Sequence, residues 1–170
     1  MSDNIEIMWE GRFITAKREG KWEYVSRSRG IKAAVILAVD DGHVLLVEQF
    51  RVPLGKNCIE LPAGLVGDHD DNAEENSAIA AIRELEEETG YRAEVMTDLG
   101  EFYSSPGMVS ESFSLFRAEG LTRTGVGGGV DGEDITVHRV ALHALSDFID
   151  RKRQEGAGID VRLMMFLKLA

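Results

Sequence analysis

The sequence predicts a mixed α+β fold, a sheet-rich body with a few helices packed on it. Three observations carry this reading. Two continuous apolar runs, residues 33–39 and 43–47, flank Asp40-Asp41-Gly42, a strong hairpin signal. The segment Ser77–Thr89 places Ala78, Ala81, Ile82 and Leu85 at the i, i+3, i+4, i+7 spacing of a helix lying on a sheet. Further short stretches before and after these elements have strand character.

Taken in order, residues 5–9, 12–17 and 21–27 read as short strands separated by Gly-containing turns such as Glu19-Gly20. The two apolar runs have the uninterrupted character of strands buried on both faces. A short strand near 58–61 leads into a loop with Pro62, Gly64 and Gly67, and the polar stretch 68–72 is expected on the surface. The helix then starts behind Asn76, a good N-cap, and stops at Gly90, placed just past its end. Strands resume over about 92–103, 112–119 and 135–142. Residues 125–132 form a loop expected to be too glycine-rich to be rigid. The tail reads as two helices, 144–155 and 160–169, broken by Gly156 and Gly158.

The chain's 170 residues favour one domain with a real core. Its formal charge of −11 repels nucleic acid and anionic membranes at long range, so neither is an expected partner. An anionic small molecule remains compatible where metal ions or local arginines offset the field. Cys58 is the sole cysteine, which excludes an intrachain disulfide and fits a reducing compartment. Residues 1–10 are polar and acidic, so no signal peptide is expected, and the location expected is cytoplasmic. The longest apolar run is too short to span a bilayer. His43, His69, His138 and His143 form no zinc-ligand pattern.

The most informative stretch is Arg83-Glu84-Leu85-Glu86-Glu87-Glu88-Thr89-Gly90. On a helix, Glu84, Glu87 and Glu88 share one face, with Cβ atoms roughly 5–6 Å apart. Unpaired like charges at that spacing cost a helix about 0.2–0.5 kcal/mol per pair. A hard divalent cation compensates, because Mg²⁺ and Mn²⁺ prefer carboxylate oxygen. Mg²⁺ takes only one or two carboxylates and leaves room for phosphates, which points to a phosphoryl-transfer site. The plainer alternative is a solvated helix face, since Glu is a good helix former.

The wider pattern decides between them. Gly64 in Leu61-Pro62-Ala63-Gly64-Leu65, then Glu75, then after seven residues Arg83-Glu84-Leu85-Glu86-Glu87-Glu88-Thr89-Gly90-Tyr91, resembles the box of the Nudix hydrolase family. Ten residues separate Gly64 from Glu75 where that box has five, an insertion assigned to the loop 67–72 that leaves the glutamate spacing intact. The resemblance implies a Nudix fold, with mixed β-sheets packed between α-helices and an N-terminal β segment. The expected division is residues 1–30 as that segment, dimerising, and 31–170 as the hydrolase domain. It implies Mg²⁺, with Mn²⁺ as an option, held by Glu84, Glu88, Glu87 and the carbonyl of Ala63. Arg83 would orient a box carboxylate, Glu75 would support it, and Glu87 or Glu133 would act on the attacking water.

Features outside the box resemble the ADP-ribose pyrophosphatase branch. They are Pro106, Glu48-Gln49-Phe50-Arg51 followed by Ile59-Glu60-Leu61-Pro62, Trp22-Glu23-Tyr24-Val25-Ser26-Arg27, and Gly132-Glu133-Asp134. The branch implies a nucleoside diphosphate sugar as ligand and a homodimer with crossing N-terminal strands. Trp22 and Glu23 would read the base, Arg51 would contact the diphosphate, and Arg27 and Met108 would also bind the substrate. Glu133 would ride a lid loop, with Asp131 the weaker match. Each feature has a plainer reading: Pro106 as a turn residue, Trp22 as core, Glu133 as a solvated acid. The alternatives in function are a GDP-mannose or other sugar-nucleotide hydrolase, a hydrolase of oxidised nucleotides, and a non-catalytic ADP-ribose-binding module.

Overall fold

The computed structural model describes residues 5–28, 32–66, 77–130 and 132–166. Glu75, the Asn76 cap, the loop 67–72, Asp131 and the end of the tail lie outside the described residues. The first strands come where the sequence places them: β1 (Ile5–Glu10), β2 (Ile14–Glu19) and β3 (Trp22–Arg27) form an antiparallel three-stranded sheet. The hairpin at 40–42 joins β4 (Lys32–Asp40) to β5 (His43–Arg51). Its turn needs positive φ at both central residues, and Asp41 and Gly42 supply 46° and 67°.

β4 is the hub of the main sheet. It runs parallel to β9 (Ser112–Arg123), in register from Ala33 with Phe113 to Ala38 with Ala118. It is antiparallel to β7 (Ala63–Val66), a short strand where the sequence suggested only loop. β9 continues into β8 (Tyr91–Tyr103) on one side. On the other, β5 pairs with β6 (Lys56–Glu60) and β10 (Thr136–Ala141).

The central strands bury both faces, as their unbroken apolar runs imply. Val35, Val44, Leu46 and Leu115 point to one side, against Leu145, Phe148 and Ile149 of helix α2 (Leu145–Gln154). Ala34, Ile36, Leu45 and Phe116 point to the other, against Ala81 and Leu85 of helix α1 (Ser77–Thr89). The strand alternation thus sorts one run of residues into two cores, giving helix, sheet and helix layers. A polar tie supports the α2 side: Glu48 Oε2 lies 2.8 Å from His138 Nε2 and 2.9 Å from Lys152 Nζ.

The tail corrects the sequence reading. In place of a second α-helix at 160–169, a two-residue strand β11 (Gly158–Ile159) pairs parallel with β6, followed by a 3₁₀ helix, Val161–Phe166. Gly158 lets the chain run close to β6, since a Cβ there would sit 3.3 Å from Cys58 Sγ. Pairing with the sheet edge overrides local helix propensity. No helix among the described residues is long and apolar enough to cross a membrane.

Candidate active site

The site begins with the face of α1 that meets the sheet. Ala81, Leu85 and Glu88 fall at i, i+4 and i+7, so the stripe that seats two apolar residues also carries a carboxylate inward. Glu88 is only 4% exposed, and its Oε2 accepts the backbone N–H of Ala63 at 3.0 Å. Glu84, one turn earlier, lies over Gly64: a Cβ at that position would come within 1.9 Å of Glu84 Cδ. The glycine therefore makes room for the second carboxylate. Ile82, expected on the packed face, is only half-buried, and Ala80 is buried instead.

Burial drives the Glu88 carboxyl up to about 8. The Ala63 N–H works against this, while the charges of Glu84 and Glu133 push it higher. The last turn of α1 carries no basic residue, so the negative end of the helix dipole adds to the same field.

Glu133 reaches this cluster through the glycine loop, and here the expectation of a loose loop is corrected. Gly128 and Gly129 donate their N–H groups to the carbonyls of Glu88 and Glu87, at 2.9 and 3.0 Å. Thr124 and Gly125 donate to the carbonyl of Gly90 at 2.8 and 3.0 Å. A Cβ on Gly127 would come within 2.4 Å of the Thr89 carbonyl carbon. The glycines serve close approach, and the loop caps the carbonyls at the end of the helix that carries the glutamates. Glu133 then folds back, its Oε2 accepting the Val130 N–H at 3.0 Å.

These residues face a cleft of about 590 Å³. Arg27 from β3 and Arg51 from β5 line it, joined by Arg162 from the 3₁₀ helix. Each arginine is paired: Arg27 Nε with Glu111 at 2.5 Å, Arg51 in a two-pronged contact with Glu60 at 2.7 and 2.6 Å, and Arg162 with Asp160 at 2.8 and 2.5 Å. Among the described residues, three arginines and five carboxylates line the cleft, so it attracts cations before it attracts anions.

The donor set suits a hard divalent cation. Among the described residues no three Asp, Glu, His or Cys side chains stand together as a group ready to hold a metal ion. What exists is a buried carboxylate whose ionisation its carboxylate neighbours oppose, beside an open cleft. A cation relieves that repulsion, and an open, incomplete ligand set matches the habit of Mg²⁺ of keeping water and phosphate oxygens.

The structure gathers Ala63, Glu84, Glu88, Glu133, Arg27 and Arg51 around one cleft. Arg83 and Glu87 are not among its lining residues. Arg83 Nη1 lies 2.9 Å from both Glu84 Oε1 and Glu87 Oε2, a brace along the helix. Trp22, Glu23 and Met108 stay outside the cleft. Trp22 lines a separate hollow of about 300 Å³ with Tyr24 and Pro106, and Met108 is 65% exposed. The sequence reading missed Glu111, Asp160 and Arg162, and it used Glu60 only as part of a matching string. A signal existed for Glu60, a lone acid inside the apolar run 58–61; none marked the others.

The chain is similar to known proteins in sequence and in fold. The model of the NUDIX domain matches residues 28–160. The ADP-ribose pyrophosphatase of Saccharomyces cerevisiae is 31% identical over 166 residues, covering 93% of this chain and 67% of that protein. The GDP-mannose pyrophosphatase of Cronobacter sakazakii is 34% identical over 180 aligned positions, covering 99% of this chain and 89% of that protein. Among solved structures, an ADP compounds hydrolase superposes with a TM-score of 0.65 at 20% identity, covering 90% of this chain and 92% of the other; this is a likeness of fold.

Proposed function

We propose that this chain, which belongs to the Nudix family, hydrolyses the diphosphate of a nucleoside diphosphate sugar, with ADP-ribose the leading substrate. The observation that carries the reading is the buried Glu88, crowded by Glu84 and Glu133 and facing a cleft that also presents Arg27 and Arg51. The similarity to an ADP-ribose pyrophosphatase and a GDP-mannose pyrophosphatase supports the choice of substrate class.

Glu84 and Glu88 would hold Mg²⁺ (or Mn²⁺), with the Ala63 carbonyl, and with Glu87 alongside after release from Arg83. A metal held there would supply positive charge against the phosphoryl oxygens and a more acidic water. Arg51 is held rigidly by Glu60, a residue only 4% exposed, so its guanidinium is aimed before the substrate arrives. Arg27 stands across the cleft as a second donor to phosphate oxygen. Glu133 takes the proton of the attacking water, which adds to one phosphorus as the other phosphate leaves. For ADP-ribose and one water the products are AMP and ribose 5-phosphate.

A product assay tests this. Purified protein with ADP-ribose and Mg²⁺ is expected to release AMP at a kcat on the order of 10 s⁻¹, and EDTA is expected to abolish release. GDP-mannose belongs in the same assay, because a relative aligned over 99% of this chain is a GDP-mannose pyrophosphatase. Faster release of GMP than AMP moves the substrate while keeping the chemistry. Absence of product from both, with metal present, sinks the reading.

The reading includes a homodimer and a cytoplasmic location. Ile5, Ile7, Trp9, Phe13 and Trp22 of the N-terminal segment are all exposed, and apolar side chains left at a surface suit a protein partner. A second subunit on this sheet would bring a Trp22 towards a cleft. Light scattering is expected to give twice the chain mass of 18.8 kDa; a monomer at micromolar concentration counts against the dimer.

A further inference from the structure

We infer that Arg162 binds substrate: it is a guanidinium beyond Arg51 that takes an oxygen of the diphosphate, aimed by Asp160 as a positioning residue. This rests on the proposed function for the identity of the substrate, though not for the phosphate chemistry.

Position is the first argument. Arg162 lines the same cleft as Glu84, Glu88 and Arg51. Glu60 Oε2 lies 2.6 Å from Arg51 Nη2 and 3.7 Å from Arg162 Nη2, so one buried carboxylate draws two guanidiniums side by side. Glu60 and Asp160 balance the two charges and hold the guanidiniums together, and a diphosphate presents oxygens for the N–H groups they leave over.

Orientation is the second. Asp160 grips one edge of the guanidinium through Nε and Nη2, and its Oδ1 also accepts the Arg162 backbone N–H at 2.7 Å. The guanidinium carbon lies 5.5 Å from the centroid of the Phe113 ring. Although burial opposes it, the Arg162 contact keeps the Asp160 carboxyl below the usual carboxylate range, so the clamp stays charged. Three of the five guanidinium protons are thereby engaged or turned to carboxylates; Nη1 donates to nothing among the described residues. An arginine loses much side-chain freedom when fixed, and here that loss is met before the ligand binds. A simple lock on the 3₁₀ turn would need the clamp and no free donor at the cleft.

The test uses two probes on the 170-residue chain: ADP-ribose in EDTA, and inorganic pyrophosphate with Mg²⁺, both followed by calorimetry. Arg162→Gln is expected to weaken both by about 10–100-fold, to raise KM by the same factor, and to leave kcat within about threefold. Arg162→Lys is expected to recover only part, because an ammonium keeps the charge and loses the fork. Asp160→Asn is expected to weaken binding less, and to add nothing in the Arg162→Gln background. Unchanged affinities in Arg162→Gln overturn the inference. So does a fall in Tm and kcat with affinities intact, the signature of a structural lock. If the wild-type protein cleaves no sugar nucleotide yet Arg162→Gln still loses pyrophosphate, the proposed function fails and Arg162 stands. Cleavage of ADP-ribose with normal binding of both probes by Arg162→Gln gives the reverse. A wild-type protein that binds neither probe overturns both.

Discussion

Replacing Glu88 by Gln is expected to lower kcat by at least about 1,000-fold and, in the absence of metal, to make the protein more stable. The two effects have one cause. Glu88 is buried among carboxylates, and its carboxyl is pushed from the ordinary 4.5 to about 8. A carboxyl raised in the folded state stabilises the fold fully below the unfolded value, and that contribution is lost as pH rises through the folded value. The metal-free wild-type protein should therefore lose stability between about pH 4.5 and 8. Gln keeps the acceptor for the Ala63 N–H and never ionises, so the variant escapes this loss. At pH 8 its Tm is expected to exceed that of the wild type by about 3–8 °C, the shift for roughly 1–2 kcal/mol in a chain of this size. Near pH 4.5 the two should melt together. Saturating Mg²⁺ should restore the wild-type Tm at pH 8 and do little for the variant. The rate loss reflects a missing ligand, since three decades in rate amount to about 4 kcal/mol of transition-state stabilisation. Melting curves in EDTA across pH check the first effect and AMP release the second. A variant less stable than wild type at pH 8, or one with near-normal turnover, removes Glu88 from this role.

Glu133→Gln should cost about 100-fold in kcat, the lower end of what general acid–base catalysis contributes. It should do so with little effect on metal affinity or folding. Glu133 is exposed, and its contact within the loop is the Val130 N–H, which Gln Oε1 can accept equally well. The glycine loop remains fastened to α1 by the Gly128 and Gly129 bonds, which do not involve this side chain. What disappears is a base at the cleft. The KM for ADP-ribose and the Mg²⁺ dependence should stay within about threefold, while turnover falls. Turnover equal to wild type would move the base to another carboxylate of the cleft. A parallel loss of Mg²⁺ affinity would instead make Glu133 a ligand.

Much of this site is readable along the chain because it is built on one helix. The spacing of Ala81, Leu85 and Glu88 already places a glutamate on the buried stripe, and Glu84 follows from the same 3.6-residue repeat. Gly90 and the hairpin at Asp41-Gly42 are local as well, since each answers to the φ of its own residue. The glycine loop shows where that logic stops. Its composition suggests freedom, whereas its glycines are demanded by the end of α1, which the chain reaches only after two long strands. Arg162 and Asp160 are a second case: their segment has helical character alone and takes another form because β11 pairs with β6.

The sequence by itself determined the elements, the two-faced burial of the central strands and the line of acids on α1, because these depend on period and turn chemistry over a few residues. Tertiary structure decided which charges meet. The Ala63 N–H, Glu133 and Arg51 come to Glu88 from three other segments, and they act through distance and burial rather than order along the chain. The same holds for the arginine–carboxylate pairs of the cleft. The carboxyl's shift and the aim of its neighbours are properties of that assembled low-dielectric site, and they exist only once the sheet has closed around it.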